Sequence, residues 1–278
     1  MHERVVAGPR SLPFPPMTTD SFANTPAERL RIVLVCTQHP GNIGSAARAI
    51  KTMGLSRLVL VGPESAPSAE ASALAAGADD VLAAAPRFET LAEAVADCRL
   101  VLGCTARSRR VALDELLPRE AAARAVADAT AGAEVALVFG RERTGLTNDE
   151  LQLCHAAVHI PANPDYSSLN LAAAVQVLAY ELRLAMLGLA AGGGGAAVAA
   201  DAARADPPAS HAELEGFFAQ LGGTLDAIDF HKGRAPESAM RKLRRLFLRA
   251  DLDAREVRLL RGILADAERM AMLAGQRR

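Results

Sequence analysis

The sequence predicts an α/β fold on a mainly parallel sheet, followed by a small all-α extension. Three observations carry this. From Arg31 to Glu181, short β-branched or aliphatic runs alternate with helix-length segments, the pattern of strand–helix–strand units. A Gly/Ala/Pro tract over residues 188–210, with four consecutive glycines, interrupts the alternation and reads as a flexible linker. Beyond it only helical periodicity remains.

In chain order, residues 1–30 are rich in Pro, Thr and Ser and lack the continuous apolar core of a signal peptide, so a disordered extension is expected. Arg31–Cys36 (RIVLVC) is a buried strand. A loop with Pro40 and Gly41 leads to a helix over Ile43–Met53, ended by Gly54. Leu58–Val61 is the next strand, an alanine-rich helix spans Ala69–Ala76, and Val81-Leu82 reads as a minor strand. Thr90–Asp97 is helical, with Thr90 and Glu93 spaced for a capping box. Leu100–Gly103 is a strand and Pro118–Ala129 a helix with proline in its first turn. Val135–Phe139 is a strand and Asn148–Cys154 a short helix. Then comes Ile160–Glu181, IPANPDYSSLNLAAAVQVLAYE. It leaves the strand Val158–Ile160, and Pro161 and Pro164 keep the connection irregular. Ser167, Ser168 and Asn170 crowd the start of a helix read from Leu169, where free amides take caps or polar ligands. Leu171, Ala172, Val175, Leu178, Ala179 and Leu182 cover more than one stripe, so this helix is buried or packs on a second subunit. Past the linker, Ala212–Leu221, Ser238–Ala250 and Asp253–Met272 are helical.

Charge divides the chain. The net formal charge is −1, but His231–Arg278 holds 13 Lys/Arg against 6 Asp/Glu, leaving 18 against 26 elsewhere. In the helix over Ser238–Ala250, Met240, Leu243 and Phe247 share one face while Arg241, Arg245 and Arg249 share another. That line of arginines in a basic region predicts contact with a nucleic-acid backbone. The four cysteines, Cys36, Cys98, Cys104 and Cys154, form no CxxC pair, which fits reduced thiols in a cytoplasmic protein. Cys154, His155 and His159 fall at a helix end and on a strand with nothing nearby to complete a zinc site, so no metal is expected. No apolar run reaches bilayer-spanning length on this reading, so no membrane segment is expected.

Ligands of a parallel α/β sheet bind beyond the C-terminal strand ends. Four loops there carry unusual residues: His39–Arg48, Cys104–Arg109, Phe139–Leu146 and the segment after Ile160. Standard motifs fail on them. Gly41 and Gly44 do not make GxGxxG, and Leu146 stands where a P-loop needs lysine. Neither GxSxG nor HExxH is present. What remains is glycine backbone, hydroxyls, amides and arginines, a set suited to a polar small ligand beside a phosphate-bearing substrate.

Taken together and in this order, NIGSAAR (42–48), FGRERTGL (139–146) and the run from Ile160 to Glu181 resemble the three motifs of the SpoU/TrmH branch of the SPOUT RNA methyltransferases, in particular the TrmJ type that methylates cytidine or uridine 2'-hydroxyls of tRNA. The match covers Arg31–Leu187, and the basic helices after the linker resemble that type's C-terminal extension. The resemblance implies domains at 31–187 and 211–278, a C-terminal trefoil knot, a homodimer, and S-adenosyl-L-methionine bent into the knot. It implies a cofactor cradle of Cys104, Thr105, Ala106, Gly140, Glu142, Ile160, Ser167, Ser168, Leu169 and Asn170. Arg48 takes the catalytic part, with Asn42 and Ser168 orienting and Asn170 bracing the loops. Arg109, Arg141 and Tyr166 join Arg241, Arg245 and Arg249 as RNA contacts. The implied reaction is methylation of a ribose 2'-hydroxyl in the tRNA anticodon loop. A ribosomal-RNA methyltransferase and a non-catalytic RNA-binding factor of the same fold are the alternatives.

Overall fold

The computed structural model describes residues 25–63, 69–106, 113–190 and 207–275. The first domain comprises β1 Leu30–Val35, α1 Pro40–Thr52, β2 Arg57–Val61, α2 Ala69–Ala75, α3 Asp79–Ala84, β3 Arg87–Phe88, α4 Leu91–Ala94, β4 Leu100–Cys104, β5 Glu115–Leu116, α5 Pro118–Thr130, β6 Val135–Phe139, α6 Asn148–Gln152, β7 Ala156–Val158 and α7 Leu171–Ala190. The C-terminal unit is α8 His211–Ala227, α9 Glu237–Ala250 and α10 Ala254–Gly275.

The sheet order is β3-β2-β1-β6-β4-β7-β5, and each neighbouring pair is parallel. Alternate strand residues face opposite layers. Ile32, Leu34, Leu58, Leu60, Leu102 and Leu137 pack with α1, α5 and α7. Val33, Val35, Val59, Val61, Val101 and Val138 pack with Leu91, Cys98, Leu151 and Cys154 on the other face. Both faces are therefore covered, as an all-parallel sheet requires. Gly44 permits the close α1–α2 approach: a Cβ there would lie 2.0 Å from the carbonyl oxygen of Ala71.

The helical unit has its own core of Leu214, Phe217, Phe218, Leu221 and Val257, against which Met240, Leu243 and Phe247 pack. It is docked on the first domain by backbone as well as side chains. The amides of His211 and Ala212 donate to the carbonyls of Cys98 (2.9 Å) and Ala96 (3.0 Å). Arg244 Nε donates to the Gln152 carbonyl at 2.8 Å, while its guanidinium pairs with Glu215 and lies 4.5 Å from the Phe218 ring centroid.

Several sequence expectations change. Val81 and Leu82 belong to helix α3, and the short strand is Arg87–Phe88 instead. Two apolar residues define no period, and Asp79 and Asp80 in the first turn favour a helix start. The α7 helix begins at Leu171, two residues late, because Asn170 Oδ1 accepts the amides of Ala172 (2.9 Å) and Ala173 (3.3 Å). The fold includes residues before 31: Pro26–Arg29 form a 3-10 turn and Leu30 is fully buried. Likewise Ala209 is buried and Ser210 caps α8. Contrary to expectation, the Leu171–Gly188 stretch is long and apolar enough by length and composition to cross a membrane. In the fold, its Val175, Leu178, Ala179 and Leu182 lie within the core shared with α1 and α5, which accounts for the apolar composition. Residues 1–24, Arg109 and the glycine tract over 191–206 lie outside the described residues.

Candidate functional site

Strands β6, β4 and β7 are adjacent in the sheet, so the loops leaving their C-terminal ends meet. In the loop after β4, the Thr105 N–H donates to the Val158 carbonyl at 2.9 Å. The loop after β6 folds back at once. A Cβ on Gly140 would lie 2.2 Å from the carbonyl carbon of Gly145, and Gly145 itself sits at φ 69°, where a side chain is strained. The Gly145 amide closes the turn on the Arg141 carbonyl at 2.8 Å. In the third loop the Asp165 amide bonds Asn163 Oδ1 at 3.1 Å and the Tyr166 amide bonds the Asn163 carbonyl at 2.9 Å, a turn typical of Asn.

The cleft between these loops is lined by Cys104, Thr105, Ala106, Gly140, Glu142, Ile160, Ser167, Ser168 and Leu169. Nine of the ten residues implied for the cradle thus line one opening, and the tenth, Asn170, braces it from behind. Arg143, Thr144 and Gly145 line it too, as do Phe139, Val158, Leu171 and Ala174, which give it an apolar wall. The sequence reading missed Arg143, Thr144 and Gly145, although they lie inside the quoted FGRERTGL run.

Glu142 connects the cleft to the first motif. Its carboxylate accepts the amides of Gln38 (3.1 Å) and His39 (3.2 Å) and Asn42 Nδ2 (2.9 Å). Burial works against its charge, yet the bonds from Asn42 and the Gln38 and His39 amides outweigh it, and the carboxyl stays below the usual range. Asn42 Oδ1 in turn accepts from Asn170 Nδ2 at 3.0 Å. Burial pushes the Cys104 thiol well above the ordinary range, which disfavours the thiolate form in which a thiol attacks.

The arginines separate. Arg141 is held within the fold: Nη1 contacts both carboxylate oxygens of Glu150 at 3.0 Å and Nη2 the Cys36 sulfur at 3.0 Å. Arg48 lies exposed on α1 and does not line the cleft. Tyr166 is 82% exposed at the rim loop. On α9, Arg241, Arg245 and Arg249 are exposed, with Arg245 paired to Asp114 at 3.2 Å. Among the described residues no group of three or more metal-ligand side chains occurs.

Comparison with known proteins follows the same division. The SpoU rRNA Methylase family matches residues 29–180, and the C-terminal domain of tRNA methyltransferase TrmJ matches residues 212–276. The tRNA (cytidine/uridine-2'-O-)-methyltransferase TrmJ of Salmonella typhimurium is 52% identical over 241 residues, covering 87% of this chain and 97% of that protein. The Klebsiella pneumoniae protein of the same name is 50% identical over 249 residues, with coverage of 87% and 97%. The crystal structure of TrmJ from Z. mobilis ZM4 aligns with a TM-score of 0.71 at 36% identity, over 86% of this chain and 98% of that one. A probable methylase family protein of Haemophilus influenzae Rd KW20 aligns with a TM-score of 0.57 at 43% identity, over 89% and 99%. Motif loops that meet in one braced cleft, followed by a docked helical unit of matching type, place this chain in the SpoU methylase family, within its TrmJ group.

Proposed function

We propose that this protein is a tRNA 2'-O-methyltransferase that methylates cytidine or uridine in the anticodon loop with S-adenosylmethionine as donor. The observation that carries the reading is the likeness to TrmJ enzymes across both domains, at 52% identity over 241 residues. The cleft suits that donor. An apolar wall of Phe139, Val158, Leu171 and Ala174 takes a flat purine, while hydroxyls of Thr105, Ser167 and Ser168 and the Glu142 carboxylate take polar and cationic groups.

Bound there, S-adenosylmethionine supplies a methyl group activated by a sulfonium. The acceptor 2'-hydroxyl must be oriented and must lose its proton as the new C–O bond forms. A free guanidinium has a pKa above ~12, so Arg48 serves first by gripping phosphate and aiming the hydroxyl. Asn42 and Ser168 complete the orientation. Because Arg48 stands outside its own cleft, a second copy brings it to the reaction. Tyr180 (49% exposed) and Leu184 (39% exposed) lie on the outer side of α7 and support a homodimer through that helix. Insertion of β6 between β1 and β4, and of β7 between β4 and β5, supports a trefoil-knotted path. A tRNA substrate supports a cytoplasmic location.

Incubation with labelled S-adenosylmethionine and either tRNA or ribosomal-RNA fragments, followed by nucleoside analysis, tests the reading. It predicts 2'-O-methylcytidine or 2'-O-methyluridine in tRNA. Label confined to ribosomal RNA would move the substrate class. Folded protein that transfers nothing would leave a non-catalytic RNA-binding factor.

A further inference from the structure

A second cleft lies between the domains. Arg124 of α5 forms one side and Arg245 and Arg249 of α9 the other, with His155 on the floor and Asp114 and Asp251 at the edge. We propose that this interdomain cleft is a phosphodiester-binding subsite for the RNA substrate, bridged by Arg124 and Arg249. The proposal rests on the tRNA reading above.

The ionic partners are unevenly shared. Asp251 is engaged with Arg99 at 3.3 Å. Asp114 pairs with Arg245 at 3.2 Å, but those side chains are 58% and 48% exposed, and a solvent-exposed pair contributes little. A phosphate oxygen can replace Asp114 at little cost. Arg124 and Arg249 are exposed, and neither guanidinium has an ion pair or hydrogen bond with any described residue. Two unneutralised guanidinium groups thus flank an opening of about 580 Å³, counting its open side. Guanidinium forks match phosphate oxygens in geometry as well as charge.

The floor adds no competing charge. His155 Nδ1 accepts the Val101 amide at 3.0 Å. Burial, then the neighbouring His211 and Arg124, push its pKa down to about 3, so the ring stays neutral at physiological pH. The two walls belong to different domains, yet their spacing is fixed by the His211–Cys98 and Ala212–Ala96 backbone bonds and by Arg244 on the Gln152 carbonyl. A chain of phosphates running from α9 onto the methyltransferase domain meets both arginines without any domain movement.

The test is tRNA affinity of the full-length protein against salt concentration. The variants are Arg124→Gln, Arg249→Gln and the double variant, with Arg87→Gln as charge-matched control, since Arg87 is exposed on β3 at the opposite sheet edge. Each single variant should lose on the order of 3–10-fold affinity at low salt and lower the log–log salt slope by about one, with the double variant summing both. S-adenosylmethionine affinity and melting temperature should not move. Single and double variants indistinguishable from Arg87→Gln would overturn the subsite alone. Wild-type protein with no salt-dependent tRNA affinity would overturn the functional reading and the subsite together. Inorganic phosphate should compete no better than chloride at equal ionic strength. A phosphate-specific effect lost in the double variant would mean a free-anion site and contradict the RNA assignment.

Discussion

Asn170 Nδ2 donates to Asn42 Oδ1 at 3.0 Å, joining the first turn of α1 to the residue before α7, 128 positions later in sequence. Each amide uses both ends. Asn42 also donates to Glu142 at 2.9 Å, and Asn170 also accepts the first amides of α7. One chain of bonds therefore crosses all three motifs and ends in a helix cap. Its members are fixed in orientation before any ligand arrives, which is what a site acting by positioning needs.

Replacing Asn170 separates the two duties. Asn170→Ala removes cap and brace and should cost about 1 kcal/mol of stability together with cofactor affinity. Asn170→Ser keeps a capping oxygen but cannot reach Asn42, so stability should hold while affinity falls. Chemical denaturation and calorimetric titration of both variants distinguish them. Equal affinity in wild type and Asn170→Ser would show that the brace has no part in the site.

Arg48 stands on the exposed side of α1, and its guanidinium has no ion pair or hydrogen bond with any described residue. Arg48→Ala should leave melting and cofactor binding intact while lowering single-turnover methyl transfer by on the order of 100-fold or more, the scale of a lost acid–base or positioning group. Retained turnover would remove Arg48 from the chemistry. Mixing Arg48→Ala protein with a cleft-dead Gly140→Ala partner should restore part of the activity if the residue acts across a dimer.

The buried Arg31 makes a pH-dependent contribution to stability. Its guanidinium donates to Asp97 at 2.5 and 2.8 Å, to Glu134 at 2.8 Å and to the Ala94 carbonyl at 3.1 Å. Burial opposes the charge of Asp97, but the Arg31 bonds prevail and its carboxyl lies below the ordinary range. A depressed carboxyl stabilises the fold above its unfolded value of about 3.9 and loses that stabilisation as pH falls through the folded value. Asp97→Asn should cost about 1 kcal/mol at pH 7, discounted because Asp97 is largely exposed. That difference should shrink as pH falls below the unfolded carboxyl value and vanish once Asp97 is protonated in the folded state. A pH-independent gap between the two proteins would assign the effect to packing.

Strand runs such as RIVLVC and the Thr90–Glu93 capping box were legible because local chemistry fixes them. The cradle was legible only through the motifs: nothing in spacing says that Cys104, Gly140 and Ser168 end on neighbouring strands, since sheet order is set by tertiary packing. Strands β3 and β5, two residues each, are too short to have a period. Composition also hid Arg244. It sits among surface arginines in sequence, yet it points inward to Gln152 and Glu215 and holds the helical unit in place.

Titration calorimetry of S-adenosylmethionine into the wild-type protein and Gly140→Ala tests the core of this account. A methyl at position 140 meets the backbone of Gly145 and Leu146 at 2.2–2.3 Å, so the loop must move and the cleft deform. The account predicts saturable binding by the wild type and at least a tenfold loss, about 1.4 kcal/mol, in the folded variant. No binding heat from folded wild-type protein, or undiminished affinity in Gly140→Ala, would contradict it.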